Sequence, residues 1–182
     1  EIDNDGFLQE PNPNKVDLYL FMYKRDFGLC LRDYYTLTGY PSLIPRYALG
    51  IWWNRDKIYS FNDTQVLVKA FNRYQIPISI LLLSEFWHIK DENNYNLYKT
   101  GFTFNKKLFP NPPEFINYMH ERGVKIGLNI DPSEGVRNEE ERYLNISQEL
   151  NVVGGITIPY DAMNKNFISS YLRHLVDPLI SM

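Results

Sequence analysis

A regular alternation of short apolar strands and amphipathic helices, from residue 48 onward, limits the fold more than any other feature. Residues 78–83 form an apolar run interrupted only by Ser79, which is typical of a parallel strand covered on both faces. Residues 48–53 and 124–130 are further predicted strands. Helices are predicted at 62–74, 111–122, 138–150 and 164–176. This order favours a parallel sheet with helical crossovers.

The connections between these elements have two different lengths. About two residues near 76–77, and almost none after Gly123, lead from a helix into a strand. The connections that leave the strands are longer and cover 54–61, 84–110 and 131–137. In parallel α/β folds the carboxyl ends of the strands carry the site, so we expect a functional site there.

The composition excludes several classes of partner. A chain of 182 residues corresponds to about one domain. Its net charge of −3 provides no basic field for nucleic acid or an anionic membrane, and no apolar run could cross a bilayer. A single cysteine, Cys30, cannot form an internal disulfide, so we expect a cytoplasmic location. The three histidines lack metal-ligand spacing.

Polar and aromatic side chains follow each predicted strand. An aromatic plane can accept the C–H face of a sugar ring, while carboxylates, amides and guanidinium groups bind its hydroxyls. The candidate binding residues at the three strand ends are Trp53, Arg55, Ser84, Glu85, Trp87, His88, Asn129 and Asp131.

Each candidate also has a structural interpretation. The tryptophans after the first strand could pack in the core, Arg55 could form a surface pair with Asp56, and His88 could be structural. Glu85 and Asp131 could be a two-carboxylate glycosidase pair, but acids at strand ends are common, so their spacing supports this only weakly.

An ordered set of short motifs resembles the entrance to the catalytic domain of glycoside hydrolase family 31. It begins with YYTLTGYP at 34–41 and IPRYALGIWWNR at 44–55. The later matching segments are 76–78, 87–88, 101–105, 108–112, 120–125 and 128–132. Together they cover about residues 33 to 180, in the order and approximate spacing of that family.

The resemblance implies the first three to four βα units of a (β/α)8 TIM barrel, an α/β fold with parallel strands and crossover helices. It implies that residues 1–22 are a leader and the end of a preceding β-domain, and that 23–182 form the N-terminal half of the barrel. The residues themselves predict a strand at 16–21, which would be the exit from that β-domain, and an amphipathic helix at 23–37. Family members cleave α-linked sugars with retention and need neither a metal nor an organic cofactor, so the resemblance implies none here. Their aspartate nucleophile lies on strand four and their acid/base later, so no catalytic residue is expected in this chain. The chain opens without an initiator Met or a signal segment, so we expect it to belong to a longer protein.

One departure from the family leaves alternatives open. After strand two the family usually has Asp-x-Asp and an aromatic residue, but Ser84 and Phe86 stand at the aspartate positions here. Glu85 could take over the role of one aspartate, whereas Asp131 and Arg55 match the family pattern. The chain could therefore belong to an α-glycosidase or to a non-catalytic carbohydrate-binding or regulatory relative. A free-standing flavodoxin-like domain is a third interpretation, and an open half-barrel edge predicts a homo-oligomer.

Overall fold

The computed structural model describes residues 19–90 and 99–182. The chain divides into two compact units, Glu1–Ile44 and Pro45–Met182, which are described separately below. The domain boundary expected at residue 22 stays a prediction. The helix Phe27–Thr38 falls within the N-terminal unit.

The N-terminal unit is built around helix α1, Phe27–Thr38. Asp26 caps its start by accepting a hydrogen bond from the Leu29 N–H at 3.0 Å. Gly39 ends it with a φ of +86°, a conformation that suits glycine, as the sequence predicts. The strand expected at 16–21 is wrong over residues 19–21, which form no strand, and 16–18 lie outside the described residues.

The second unit contains a parallel sheet in the order β1-β2-β3. Its strands are β1 (Trp52–Arg55), β2 (Ile80–Leu83) and β3 (Lys125–Leu128). The first strand starts later than expected because Arg46–Leu49 forms a 3-10 turn, in which the Ala48 N–H donates to the Pro45 carbonyl.

Two longer helices follow the first two strands. Helix α2, Phe61–Arg73, starts at a capping box in which Ser60 and Asp63 exchange hydrogen bonds, so Ser60 is the cap rather than the expected Asn62–Asp63. Helix α3, Pro112–His120, starts at Asn111 as predicted, with proline in its first turn.

The first of the two predicted C-terminal helices is shorter than expected, and the second continues beyond its predicted end. Helix α4 covers only Tyr143–Glu149, because the preceding acidic residues form turns. Helix α5, Lys165–Tyr171, passes through a π-helical turn, Leu172–Val176, into α6, Asp177–Ile180. Pro178 has no N–H to donate to the preceding turn, which favours the wider hydrogen bonding there.

Two apolar cores hold this unit together. The first packs the sheet against α2 and α3 and contains Val68, Leu81, Leu83, Trp87, Phe104, Phe109, Phe115, Ile116, Met119 and Val124. The second lies around α4 and α5 and contains Phe102, Val136, Tyr143, Ile146, Ile158, Phe167, Tyr171 and Leu175. In the part of the chain that the structure describes, no helix is long and apolar enough to span a membrane.

Candidate functional site

The carboxyl ends of the three strands form one edge. Arg55 pairs with Leu83, and Leu83 with Leu128, so the strand tips lie side by side. The Asn129 N–H donates to the Leu83 carbonyl at 3.0 Å, and the Trp87 indole N–H donates to the Asn129 carbonyl at 2.8 Å. The segments that follow the second and third strands are therefore tied together at the predicted position.

The two faces of the sheet differ in what covers them. Trp53, Leu81 and Ile126 occupy neighbouring register positions on the face that packs against α2 and α3. Asn54 lies one residue later and so on the opposite face, beside Leu82.

Trp53 belongs to the core between the sheet and α2. Its ring meets Phe71 edge-to-face at 5.4 Å between centroids, and its indole N–H donates to the Tyr59 hydroxyl at 3.2 Å. A sugar-binding role for Trp53 stays a prediction, one that this packing against the helix does not favour.

Trp87 and His88 are both buried, each with 1% of its surface exposed. The Trp87 ring packs against Phe104, and the His88 ring lies between the Ile89 and Lys99 carbonyls at 3.0 and 3.1 Å. Burial lowers the pKa of His88, and the hydrogen bonds to the carbonyls only partly oppose this. These side chains can shape the strand tips from beneath but do not reach solvent.

Three predicted residues remain accessible at the edge. Arg55 and Asn129 are exposed, and Asp131 is half-buried. The Ser133 hydroxyl and its backbone N–H, the latter at 2.9 Å from Asp131 Oδ1, lower the pKa of the Asp131 carboxyl. A carboxylate, an amide and a guanidinium group therefore flank the strand tips.

The residues at the end of β2 combine a small hydroxyl with an ion pair. Ser84 ends the strand, and among the described residues its hydroxyl has no hydrogen-bond partner. Glu85 starts a 3-10 turn, Glu85–Trp87, and its Oε1 lies 3.6 Å from Lys90 Nζ. The site thus has one partly exposed carboxylate, Glu85, between Ser84 and Phe86, the two residues that stand at the family's aspartate positions.

Two residues that the sequence interpretation did not select belong beside this site. Asn54 is exposed on the face opposite Trp53, and strand alternation would have identified it once Trp53 was assigned to the core. Lys90 is buried next to Glu85, and no sequence signal distinguishes it from a surface lysine.

Two carboxylates hold the segment after β2 against the segment after β3. Glu134 accepts hydrogen bonds from the N–H groups of Lys99 and Thr100, at 3.0 and 3.1 Å. Glu140 accepts from the Phe102 N–H at 3.1 Å and from the Thr103 hydroxyl at 2.6 Å. We refer to these contacts as the carboxylate bridge. Within the described ranges, no group of three or more His, Cys, Asp or Glu side chains could hold a metal ion.

The fold and the comparisons define the class of protein and then its family. Parallel strands in chain order, with helices packed against one face, form part of a (β/α)8 barrel. A family model described as the glycosyl hydrolases family 31 TIM-barrel domain matches residues 41–169, more than half of the chain. The chain belongs to glycoside hydrolase family 31, as its motifs predict.

Characterised relatives are considerably longer than this chain. An alpha-xylosidase from Saccharolobus solfataricus is 25% identical over 165 residues, which cover 90% of this chain and 21% of that enzyme. Alpha-glucosidase 2 from Bacillus thermoamyloliquefaciens is 28% identical over 137 residues, covering 75% of this chain and 16% of the enzyme. The chain therefore spans about a fifth of the length of such relatives.

Solved structures show the same fold. The family 31 alpha-xylosidase from Xanthomonas citri matches with a TM-score of 0.62 at 18% identity, over 86% of this chain and 18% of that one. A family 31 alpha-xylosidase from a soil metagenome, solved with xylose, matches with a TM-score of 0.52 at 20% identity. This match covers 74% of the present chain and 21% of the alpha-xylosidase chain. At these identities the likeness confirms the partial barrel and nothing finer.

Proposed function

We propose that the protein carrying this chain is a retaining α-glycoside hydrolase that acts on α-linked sugars. The observation that carries the proposal is the family match over residues 41–169, combined with convergence of the first three strand tips at one edge. Relatives named alpha-xylosidase and alpha-glucosidase support α-xylosides and α-glucosides as the substrate class. The nucleophile and the acid/base are proposed to lie outside these 182 residues, and no cofactor is required.

Within this proposal, the chain supplies one wall of the sugar site. Arg55, Glu85, Asn129 and Asp131 are the groups that can bind hydroxyls, because each is exposed or partly exposed at the strand tips. Trp87 and His88 act indirectly by supporting the segment after β2 from the core.

Hydrolysis of aryl glycosides tests the proposed activity. The full-length protein is expected to release nitrophenol from p-nitrophenyl α-xyloside or α-glucoside, and the first sugar product is expected to keep the α-configuration by NMR. The Asp131→Asn variant is expected to lose activity, because it removes the charge of an acceptor at the site. A folded wild-type protein that hydrolyses neither substrate would contradict the proposal.

The second candidate function is non-catalytic carbohydrate binding. It is favoured by Ser84 and Phe86, which stand where the family carries aspartates. Calorimetry with xylose and glucose separates the two functions, because this candidate binds a sugar without turning over either aryl glycoside.

We also propose that copies of this chain associate through the open edge of the half-barrel, and that the protein works in the cytoplasm. The apolar groove beside β3 supports association of the copies. The single cysteine, Cys30, supports the cytoplasmic location.

A further inference from the structure

Lys90 is a buried cation directly behind the strand tips. Its side chain is 1% exposed, and its Nζ lies 3.6 Å from Glu85 Oε1. The same Nζ lies 4.7 Å from the centroid of the Phe86 ring, over its face. Burying an ammonium group costs free energy unless nearby negative charges compensate it.

Carboxylates from three successive strand-end segments partly offset this cost. Burial lowers the pKa of Lys90, and Glu85, Glu134 and Asp56 all raise it. Asp56 follows the first strand, Glu85 the second and Glu134 the third. Carboxylates from all three segments that follow the strands therefore favour the charged form of this lysine, with Glu85 in direct contact.

Glu85 faces two environments. Its Oε1 is near the buried ammonium, while 30% of its side chain remains exposed. The ion pair limits the positions that a flexible glutamate can adopt, and the exposed part of the carboxylate can still accept a hydrogen bond from a ligand hydroxyl.

Phe86 belongs to the same arrangement. In the family pattern an aspartate occupies this position, whereas the aromatic ring here covers Lys90 Nζ. Ser84 and Phe86 thus stand at the two aspartate positions, and the residue between them, Glu85, supplies a carboxylate that pairs with the buried Lys90. Glu85 and Phe86 thus both lie against the same buried ammonium group.

We propose that Lys90 is a positioning residue that holds the Glu85 carboxylate in place to bind a sugar hydroxyl at the end of β2. This inference rests on the proposed glycosidase function and deepens it. Glu85 takes the binding role of the missing aspartates, Phe86 shields the ion pair from water, and Lys90 itself does not touch the sugar.

A double-mutant cycle on the full-length protein tests this role. Lys90→Met and Glu85→Gln are each expected to raise KM for p-nitrophenyl α-xyloside or α-glucoside, whichever the wild type cleaves, by about 10- to 100-fold, the loss expected for a charged hydrogen bond. The double variant is expected to be no worse than either single variant, because both remove the same carboxylate contact. Lys90→Arg, which keeps the charge, is expected to restore KM to within about threefold of the wild type.

Controls separate positioning from a general loss of structure. Lys69→Met removes an exposed lysine from α2 and is expected to leave KM unchanged. If Lys90→Met does not fold, Lys90→Gln replaces it, since glutamine keeps a donor without the charge. An unchanged KM in the Lys90 variant, or an effect that adds fully to that of Glu85→Gln, would overturn the inference and leave the proposed glycosidase intact. A wild-type protein with no hydrolysis of either glycoside would instead remove the proposed function, and this inference with it.

Discussion

His88 is buried beneath the strand tips and contacts the backbone of the segment after β2. The ring is buried between two carbonyl oxygens, from Ile89 and Lys99, which both belong to the segment after β2. A neutral imidazole carries one N–H and can donate to only one of them. The backbone of Gly101 lies so close to the ring that a β-carbon there would overlap it. Only glycine at residue 101 leaves room for the His88 ring in its observed position.

Replacement of Gly101 by alanine tests this close packing. We expect Gly101→Ala to lower the free energy of unfolding by about 1–3 kcal/mol, because the His88 ring must move within a filled core. Gly154→Ala is the matched control, since a β-carbon there meets no atom within 4 Å. Urea unfolding of both variants measures the difference, and equal stabilities would show that the His88 pocket is not tightly packed.

The buried state of His88 also predicts a dependence of stability on pH. Burial lowers its pKa in the folded chain below the ordinary value of 6.5, whereas the unfolded chain binds a proton near that value. Its contribution is therefore complete above about pH 6.5 and is lost as the pH falls further, with a slope of at most about 1.4 kcal/mol per pH unit. Burial and Lys125 lower the pKa of His120 as well, so that residue adds an effect of the same sign.

Unfolding experiments between pH 7.5 and 5.5 measure this contribution. The wild type is expected to lose stability toward the acid end, and His88→Gln is expected to show a smaller slope. Carboxyl groups with lowered pKa values, such as Asp131 and Asp63, act at lower pH. Burial raises the pKa of Glu140, so that carboxyl opposes the histidine effect, but it does so equally in the wild type and in His88→Gln. The same slope in both proteins would mean that His88 does not change its protonation on unfolding.

At the scale of elements, the carboxylate bridge explains why α4 begins late. Glu140 would lie in the first turns of the predicted helix at 138–150, but its carboxylate is buried and binds residues 102 and 103. Arg137 completes the contact, with Nη2 donating to the Ile89 and Thr100 carbonyls. The turns before Tyr143 place these side chains, and a continuous helix would direct them differently.

Neutralisation of Glu140 tests the bridge. We expect Glu140→Gln to lower the free energy of unfolding by about 1–3 kcal/mol, because charged hydrogen bonds to Phe102 and Thr103 are weakened and Arg137 Nη2, 3.7 Å away, loses a compensating charge. Glu139→Gln is the matched control, since Glu139 is an exposed neighbour. Equal stability of the two variants in thermal unfolding would contradict a structural role for this carboxylate.

At the scale of the whole second unit, the sheet is open on one side of β3. Among the described residues this strand pairs only with β2. A largely apolar groove of about 540 Å³ lies beside it, lined on its helical side by Val176, Leu179 and Ile180. Unpaired strand edges and exposed apolar grooves favour association with another chain.

Sedimentation of the 182-residue chain at several concentrations tests self-association. We expect the weight-average mass to rise with concentration, and Ile180→Lys to reduce the rise, because Ile180 is 77% exposed in the groove. Leu144→Lys is the control, since Leu144 is also exposed but belongs to α4 and lies outside this groove. A constant monomer mass for the wild type would exclude association through this edge.

Local sequence patterns determined the class of fold and the place of the candidate site. Strands and helix ends are predicted by residues that are adjacent in the sequence. The signals used were apolar runs of strand length, the cap residue Asn111 before α3 and the glycine after α1. Strand ends of a parallel sheet must lie at one edge, so the grouping of Arg55, Glu85 and Asn129 followed from the order of the elements.

Only the tertiary structure decided which of these side chains are available. A shift of one residue in a four-residue strand reverses its faces, and β1 proved to start at Trp52 with Trp53 toward the helices. The burial of His88 and Lys90 depends on residues far along the chain, including Lys99 and Glu134, which no local pattern brings beside them. Periodicity is a property of neighbours in sequence, whereas burial and charge compensation are properties of neighbours in space.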